Sequence, residues 1–527
     1  MSSILTPFEG VWDASTAAHL LRRATLGPTR KEILEAASRG LANSVNRLLA
    51  PARIPLPPVL HIAEDDPDVA FGDTWVNTPY TAGGKHRGAS LNAWFFNHLI
   101  ENPSGLQAKM TLFWLNYFGM AGVSDHRAMY RYIRLFQELA TGNFREMIER
   151  ITVHPAMLEF LDGATNDRKN PNENYARELL ELFTIQKGPQ VGEGDYTNYT
   201  ETDVVAIARA LTGWKNNKYA YNDVDVPIES YFSPDAHDQG TKTLSHRFNS
   251  WAIQNEGDQE YKAVISVILN QPETPRAFCR ELYRYFVFHE IGETVEQEVI
   301  APLAATLVSN EFDISPVLEE LFNSQHFYDM AVRGPMIKNP YEFLASIARS
   351  LGWYGHLKDI GLYHKYMIGD KYERISREIG MHFLSPPTVA GWKAYYDAPR
   401  YYRNWASPAL LQKRFSLASE VLGQYHHVDN YRIPFDWMSF VKEATEPLVI
   451  DAFLDEVLLV FLPRPLYSEQ KLALKEFLLQ GLPDEEWTLQ CANYLANPND
   501  NTITIAFETR LRRLMVAIIG MAEFQLQ

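Results

Sequence analysis

The hydrophobic and polar positions of the chain follow the spacing of amphipathic helices from one end to the other. Capping boxes, in which a threonine precedes an acidic residue by three positions, begin predicted helices at Thr29 and Thr200, and a further helix is predicted over 468–479. Alternating, strand-like runs are scarce. The pattern predicts an all-α protein, with a large multi-helical globular fold, long irregular loops and at most small β-hairpins near 191–199 and 221–245.

Three irregular stretches interrupt the helical pattern, at about 51–90, 215–255 and 384–407. They are rich in proline, glycine, charged or aromatic residues, and long structured loops of this kind often carry function. We predict that they are loop insertions in a main helical domain that spans residues 1–433. Residues 434–527 are predicted to form a C-terminal helical subdomain that belongs to the same folding unit.

One short predicted helix carries an unusual concentration of charge. It begins after Asn172, whose side chain is a good N-cap, and its polar face holds Glu173, Arg177, Glu178 and Glu181. One interpretation is a solvated surface with two ordinary ion pairs at i, i+4 spacing. The other is a cleft in which the carboxylates do acid–base chemistry or hold a divalent cation. The local pattern leaves both interpretations open.

The segment 233–242 brings His237, Asp238 and Lys242 into one predicted loop. His237 is a candidate acid or base, and Lys242 with the backbone amides near Gly240 is a candidate anion site. Adjacent side chains on an extended segment point apart, so a lone His-Asp pair is a weak signal for a catalytic dyad.

The segment 384–405 is rich in aromatic residues. Trp392, Tyr395, Tyr396 and Trp405 have flat amphipathic rings that suit stacking on sugars or gripping an extended peptide, and Arg400 can pair with an acidic substituent. Together with Lys242 they are the predicted substrate-binding residues. The competing interpretation is a loop that its own aromatic side chains clamp over the helical core.

Composition narrows the class of protein. A chain of 527 residues with 46% hydrophobic positions can bury a large core. Its 49 basic and 65 acidic residues give a net charge of −16, which disfavours nucleic acid or an anionic membrane surface as a partner. The two cysteines lie far apart, which excludes a disulfide scaffold. No export signal or apolar membrane-spanning run is recognisable, so a cytoplasmic protein without a membrane span is expected.

Eight short sequence blocks with distinct motifs are spread along nearly the whole chain. They cover 18–28, 155–158, 172–184, 199–204, 208–214, 237–242, 386–392 and 523–527. In this combination the chain resembles a bacterial family known as domain of unknown function 1800. The resemblance implies that the family's fold extends from end to end, and it attaches no reaction to the protein.

One block departs from the pattern of that family. Where many members have Phe-Trp-His-Asn-His-Phe, this chain has Phe113-Trp-Leu-Asn-Tyr-Phe118, with Leu115 and Tyr117 in place of both histidines. A histidine-based metal site is therefore not expected here. Three glutamates without a neighbouring His or Cys suit a hard divalent cation better than zinc, and no other cofactor is indicated.

These observations favour a metal-assisted hydrolase or related enzyme that acts on a saccharide or envelope polymer. The polymer is implied by the resemblance, since genes of this family are often found beside those of sulfatase-like proteins. The alternative is a non-catalytic helical binding or assembly protein, with a structural ion-pair network and a protein partner. The predicted catalytic residues of the enzyme hypothesis are Glu173, Arg177, Glu178, Glu181, His237 and Asp238.

Overall fold

The fold is all-α, as the hydrophobic pattern predicts. The computed structural model describes residues 4–62, 66–79, 85–101, 105–217, 228–357, 359–393, 404–422, 427–433 and 435–527. Helices dominate these residues, and the β-strands found among them form small two-stranded antiparallel sheets.

The helices of the first half lie before residue 287. They are α1 (Ala14–Ala24), α2 (Arg30–Arg39), α3 (Leu41–Leu49), α4 (Lys85–Glu101), α5 (Leu106–Tyr117), α6 (His126–Glu138), α7 (Phe144–Thr152), α8 (Pro155–Phe160), α9 (Glu173–Glu181), α10 (Glu201–Ala210), α11 (Glu260–Leu269) and α12 (Glu273–Phe286).

The helices of the second half continue to the end of the chain. They are α13 (Glu293–Val295), α14 (Ala301–Ser309), α15 (Ser315–Asn323), α16 (Pro340–Ser350), α17 (Trp353–His356), α18 (Leu362–Glu378), α19 (Pro408–Val421), α20 (Trp437–Lys442), α21 (Ile450–Phe461), α22 (Ser468–Leu479), α23 (Asp484–Ala496) and α24 (Asn501–Ile519).

The strands pair as neighbours in the chain, and three of the four pairs lie in or beside the regions where hairpins are predicted. The pairs are β1 (Gln190–Gly192) with β2 (Asp195–Tyr196), β3 (Trp214–Asn216) with β4 (Ser230–Phe232), β5 (Lys242–Thr243) with β6 (Ala252–Ile253), and β7 (His427–Val428) with β8 (Tyr431–Arg432).

Local capping chemistry sets several helix ends where the sequence predicts them. Thr29 and Glu32 form a capping box at the start of α2, and Thr200 and Asp203 form one at the start of α10. Each box satisfies amide groups that lack a partner within the first turn of a helix. α22 begins and ends at the predicted residues, Ser468 and Leu479.

The core is built around α5, whose residues 106–115 are all buried. α5 packs on α4 and α6, and α4 packs on α16 and α18. Aromatic side chains fill the space between helices: the rings of Trp114 and Phe278 stack at 5.7 Å between centroids, and Phe144 stacks on Phe278 at 4.1 Å. Such close aromatic packing contributes beyond the area that it buries.

The C-terminal helices contact both one another and the rest of the chain. α24 packs on α19 and α20 as well as on α22 and α23, and α21 packs on α1. The division of the chain after residue 433 remains a prediction. None of the described helices combines the length and the apolar character needed to cross a membrane.

Candidate functional site

The charged helix α9 begins as the sequence predicts. The Asn172 side-chain oxygen accepts a hydrogen bond from the amide of Tyr175 at 3.1 Å, and its amide nitrogen donates to the carbonyl of Leu161 at 2.8 Å. The cap therefore fixes both the start of the helix and the chain that precedes it. The apolar face, which includes Tyr175, Ala176 and Leu179, is buried, so the polar face turns away from the core.

Arg177 joins α9 to α10. Its guanidinium donates to both carboxylate oxygens of Glu201, at 2.8 and 2.6 Å. Glu181 lies 3.8 Å away on the next turn of α9. The hydrogen bonds to Glu201 raise the pKa of Arg177, and the same bonds lower the pKa of Glu201. This two-bond geometry is the strongest form of a guanidinium–carboxylate contact.

Glu181 is shared between three side chains. Its carboxylate accepts a hydrogen bond from the Tyr199 hydroxyl and lies 3.2 Å from the ammonium of Lys187. Burial, followed by the hydrogen bond to Glu181, raises the pKa of Tyr199. We refer to these linked residues as the α9 network, which comprises Arg177, Glu181, Lys187, Tyr199 and Glu201.

The other two glutamates of the polar face differ from Glu181. Glu173 is exposed and Glu178 is half-buried, and neither makes a hydrogen bond or an ion pair within the part of the chain that is described. Burial, with a further contribution from the negative charge of Glu181, raises the pKa of Glu178. A carboxyl group in this situation holds a proton more tightly than usual.

His237 lies in the interior, with only 2% of its surface exposed. Its Nδ1 is 2.9 Å from the backbone oxygen of Thr212, and its Nε2 is 3.0 Å from Oε2 of Glu260, the first residue of α11. A carbonyl and a carboxylate are both hydrogen-bond acceptors, so each ring nitrogen of His237 faces an acceptor.

Lys242 is equally enclosed and does not face solvent. Its side chain is fully buried, its ammonium is 2.5 Å from Oε1 of Glu260, and it donates a hydrogen bond to the backbone oxygen of Asp238. The carboxylate of Glu260 therefore contacts the Lys242 ammonium at one oxygen and the His237 imidazole at the other. Such an arrangement compensates charges that are costly to bury alone.

Asp238 points away from His237, as expected for adjacent residues of an extended segment. Its carboxylate accepts from Arg209 at 2.7 and 3.1 Å and from the amide of Gly240 at 2.8 Å. The hydrogen bond from Arg209 lowers the pKa of Asp238. We refer to the second group of linked residues as the His237 cluster, which comprises Arg209, Thr212, His237, Asp238, Lys242 and Glu260.

The two groups lie at opposite ends of α10. Glu201 is the first residue of that helix, whereas Arg209 lies in its last turn. At 1.5 Å per residue, the two positions are about 12 Å apart along the helix axis. The structure thus places Arg177 and Glu181 in one cluster and His237 and Asp238 in another, and it places Glu173 and Glu178 in neither. α10 separates the two clusters, and no hydrogen bond or ion pair between described residues links one to the other.

The described part of the aromatic segment is anchored in the core. The amide of Trp392 donates to Oδ1 of Asn116 in α5 at 2.6 Å, and Trp392 and Trp405 are 4% and 5% exposed. Gly391 has φ +74°, and a Cβ there would lie 2.1 Å from the backbone oxygen of Asn116. Of the remaining residues predicted in this segment, Tyr395, Tyr396 and Arg400 lie outside the described residues.

Two further features concern where a metal ion or another ligand could bind. Within the described ranges, no group of three or more His, Cys, Asp or Glu side chains has the arrangement of a metal site. An open groove of about 330 Å³ includes the two residues directly before Tyr199, and none of the predicted site residues lines it. The residues that line the groove are Ile185, Thr197, Asn198, Arg247, Gln271, Pro272, Glu273 and Arg276.

Sequence reasoning missed the partners that hold both clusters. Glu201 and Arg209 lie in blocks that the sequence already marks, at the start and end of one predicted helix, so a helical projection of α10 would have found them. Glu260 has no such signal, because it approaches His237 only through the folding of the 215–255 segment.

One family model matches the chain over almost its whole length. The model of a family described as "Protein of unknown function (DUF1800)" matches residues 19–526. No curated protein and no solved structure is similar enough to match the chain.

Proposed function

The chain belongs to the DUF1800 family, whose description names no function, and we propose from the site itself that it is a non-catalytic helical binding or assembly protein. In this proposal the two charged clusters hold helices α9, α10 and α11 in one arrangement. In this role the clusters favour one packing of these helices over other packings, as buried polar groups do in some proteins.

One observation carries the proposal: apart from Glu173 and Glu178, the charged side chains of the site are paired with one another. Arg177 pairs with Glu201, Asp238 pairs with Arg209, and Glu260 pairs with both His237 and Lys242. A group that performs catalysis needs access to substrate, and the His237–Glu260–Lys242 pairing is completely enclosed.

We further propose that the open groove beside Tyr199 takes a polar ligand of the saccharide type. Amide and guanidinium groups line it, from Asn198, Gln271, Arg247 and Arg276. Each of these groups already bonds within the protein, to Ile185, Gln186, Val267, Asp195 or Glu296. The side-chain oxygens of Asn198 and Gln271 and the remaining guanidinium nitrogens would contact the hydroxyl groups of a sugar. A protein partner with a polar, carbonyl-rich surface would use the same groups.

The test is direct binding, measured by calorimetry with cellohexaose, chitohexaose and hexagalacturonate. We expect at least one oligosaccharide to bind and Gln271→Ala or Arg276→Gln to weaken it tenfold or more. Gln297→Ala is the control, since Gln297 is an exposed glutamine outside the groove. Equal affinity of the groove variants and the control would contradict the placement of the ligand.

A second candidate function is favoured by one residue, Glu178. A half-buried carboxyl with a raised pKa and no ion-pair partner among the described residues has the properties of a general acid. This supports the metal-assisted hydrolase of a saccharide or envelope polymer, with Glu173, Arg177, Glu178, Glu181, His237 and Asp238 as the proposed catalytic set.

Metal analysis of the purified protein separates the two functions, together with thermal unfolding in Mg²⁺, Ca²⁺, Mn²⁺ and Zn²⁺. A cation that binds only the native state must raise its stability. A stoichiometric metal, a stabilising shift and hydrolysis that Glu178→Gln abolishes would establish the enzyme. If no metal is bound and no cation raises the unfolding temperature, the binding function is supported.

A further inference from the structure

A second pocket lies where α1, α16, α21 and the last residues of the chain meet. None of the residues of the α9 network or the His237 cluster contributes to it. The free space at its centre is about 10 Å³, which is the room that one water-sized sphere needs. Its lining residues are Arg22, Thr25, Leu26, Gly27, Pro28, Lys338, Glu342, Ser346, Ser350, Val460, Phe461, Phe524 and Gln527.

Lys338 is the most unusual side chain of this pocket. It is 5% exposed, and its ammonium lies 3.8 Å from the centroid of the Phe524 ring. Among the described residues, the contact found for its ammonium is the one with the Phe524 ring, and no hydrogen bond or ion pair is found. A buried lysine is normally paired, because an ammonium group away from water is costly.

Further cations surround Lys338. Arg22 also lines the pocket at 5% exposure; it donates to the backbone oxygen of Leu459, and its Nε has no hydrogen-bond partner. Arg414 is fully buried behind Lys338 and donates to its backbone oxygen at 3.0 Å, while its Nε and one terminal nitrogen have no partner. Three buried cations thus retain unused donors in one small region.

The one carboxylate side chain that lines the pocket is already occupied. Glu342 forms a buried ion pair with Lys109, and its other oxygen accepts from the amide of Asn339 at 2.8 Å and from the side chain of Gln527 at 3.1 Å. Among the described residues, Arg22, Lys338 and Arg414 therefore have no carboxylate within ion-pair distance. An uncompensated buried charge of this kind is strongly destabilising.

We propose that this pocket binds a small inorganic anion of about halide size between Lys338 and Arg22. The small free space favours a monatomic anion over larger oxyanions. The positive charges of Lys338 and Arg22 and the unused Nε donor of Arg22 favour an anion over water. The pKa values point the same way: burial and the neighbouring cations lower the pKa of Lys338 well below its usual value and that of Arg22 to about 9. A bound anion offsets both effects.

The first test is thermal unfolding of the full chain in sodium chloride, sodium bromide and sodium gluconate at equal ionic strength. We expect halides to raise the melting temperature in a saturable manner, because a ligand that binds only the native state stabilises it. In Lys338→Met, the half-saturating chloride concentration should rise at least tenfold. Lys31→Met is the matched control, since Lys31 is an exposed lysine on α2.

The second test does not depend on a variant that folds. Crystals of the unaltered protein soaked in bromide should show an anomalous difference peak between the Lys338 ammonium and the Arg22 guanidinium. Absence of the peak would overturn the proposal. It would also be overturned if gluconate stabilised as much as chloride, or if Lys338→Met responded to chloride as Lys31→Met does. In gluconate, we expect Lys338→Met to be at least as stable as the unaltered protein, since the variant no longer buries a charge.

Discussion

At the scale of single residues, a carboxylate gains its role from the groups around it. Glu178 and Glu181 lie three residues apart on α9, yet Glu181 holds a tyrosine and a lysine while Glu178 has no such partner among the described residues. The sequence places both on one polar face and cannot distinguish them, because the distinction comes from Tyr199 and Lys187, which lie beyond the helix.

Glu260 is the residue on which the His237 cluster depends most. Glu260→Gln removes the negative charge that faces His237 and Lys242, and it leaves the buried Lys242 ammonium without its nearest counter-charge. We expect the free energy of unfolding to fall by about 3–5 kcal/mol, as for other broken buried ion pairs.

Urea denaturation of Glu260→Gln, followed by far-ultraviolet circular dichroism, measures this effect. Glu256→Gln is the control, because Glu256 is an exposed glutamate on the same connection, and its replacement should change stability by less than about 0.5 kcal/mol. A loss below about 1 kcal/mol in Glu260→Gln would show that the pairing is not an ionised one.

Replacement of Glu178 should raise the free energy of unfolding, whereas replacement of Glu260 should lower it. Its pKa is raised in the folded protein, so ionisation of Glu178 destabilises the fold. The penalty is absent below the unfolded pKa of about 4.3 and grows as the pH rises through the folded pKa. We expect Glu178→Gln to raise the free energy of unfolding at pH 8, by less than about 1 kcal/mol because the side chain is only half-buried, and to leave it unchanged at pH 4.

The measurement is urea denaturation of Glu178→Gln at both pH values. Glu173→Gln serves as the control, since Glu173 is the exposed glutamate of the same helix face. A replacement of Glu178 that lowered stability at pH 8 would mean that its carboxylate makes a favourable contact. A stabilising replacement is what is expected at a residue kept for function at the expense of stability.

At the scale of elements, helix ends were predictable and contacts between helices were not. Thr29, Asn172 and Thr200 cap their helices within a few residues, so their chemistry is visible in the sequence. The bond from Trp392 to Asn116 joins positions far apart in the chain, and no local pattern encodes it. Secondary structure was therefore predictable, whereas the membership of each charged cluster needed the folded chain.

The Arg177–Glu201 pair is the clearest connection between two elements, α9 and α10. Because it is partly exposed, we expect a modest coupling of about 0.5–1 kcal/mol in a double-mutant cycle of Arg177→Gln and Glu201→Gln. The coupling should shrink in 1 M sodium chloride, since salt screens charges that reach solvent.

Chemical denaturation of the single and double variants at low and high salt measures the coupling. The Lys31–Glu35 pair provides a comparison, with 4.0 Å between charged atoms and both side chains well exposed. We expect a coupling of about 0.3 kcal/mol or less there. Equal coupling energies for the two pairs would contradict the prediction that Arg177 and Glu201 stabilise the contact between α9 and α10 more than an ordinary exposed ion pair does.

At the scale of the whole molecule, the question is whether residues 434–527 unfold with the rest. Phe524 touches both parts: its ring lies 5.6 Å from that of Phe343 in α16 and 6.1 Å from that of Phe461 in α21. Phe524→Ala should lower the free energy of unfolding by about 3–5 kcal/mol, as expected for a buried phenylalanine. If the chain is one folding unit, it should do so in a single transition.

Differential scanning calorimetry of Phe524→Ala distinguishes the alternatives, with Phe415→Ala as the control because that ring is 39% exposed. One transition at a lower temperature supports a single unit. Two transitions, of which only one moves, would support a separate C-terminal domain. Loss of the Phe524 ring also removes the surface on which the Lys338 ammonium rests.

The burial of α5 restricts the substitutions that this helix can tolerate. Leu115 is 3% exposed, and the Tyr117 hydroxyl donates to the backbone oxygen of Phe183 at 3.1 Å. A histidine at 115 would bury two ring nitrogens that each need a partner, and one at 117 would give up an existing bond. Each substitution alone should therefore lower stability, so a pair of histidines at these two positions would have to arise through a destabilised intermediate.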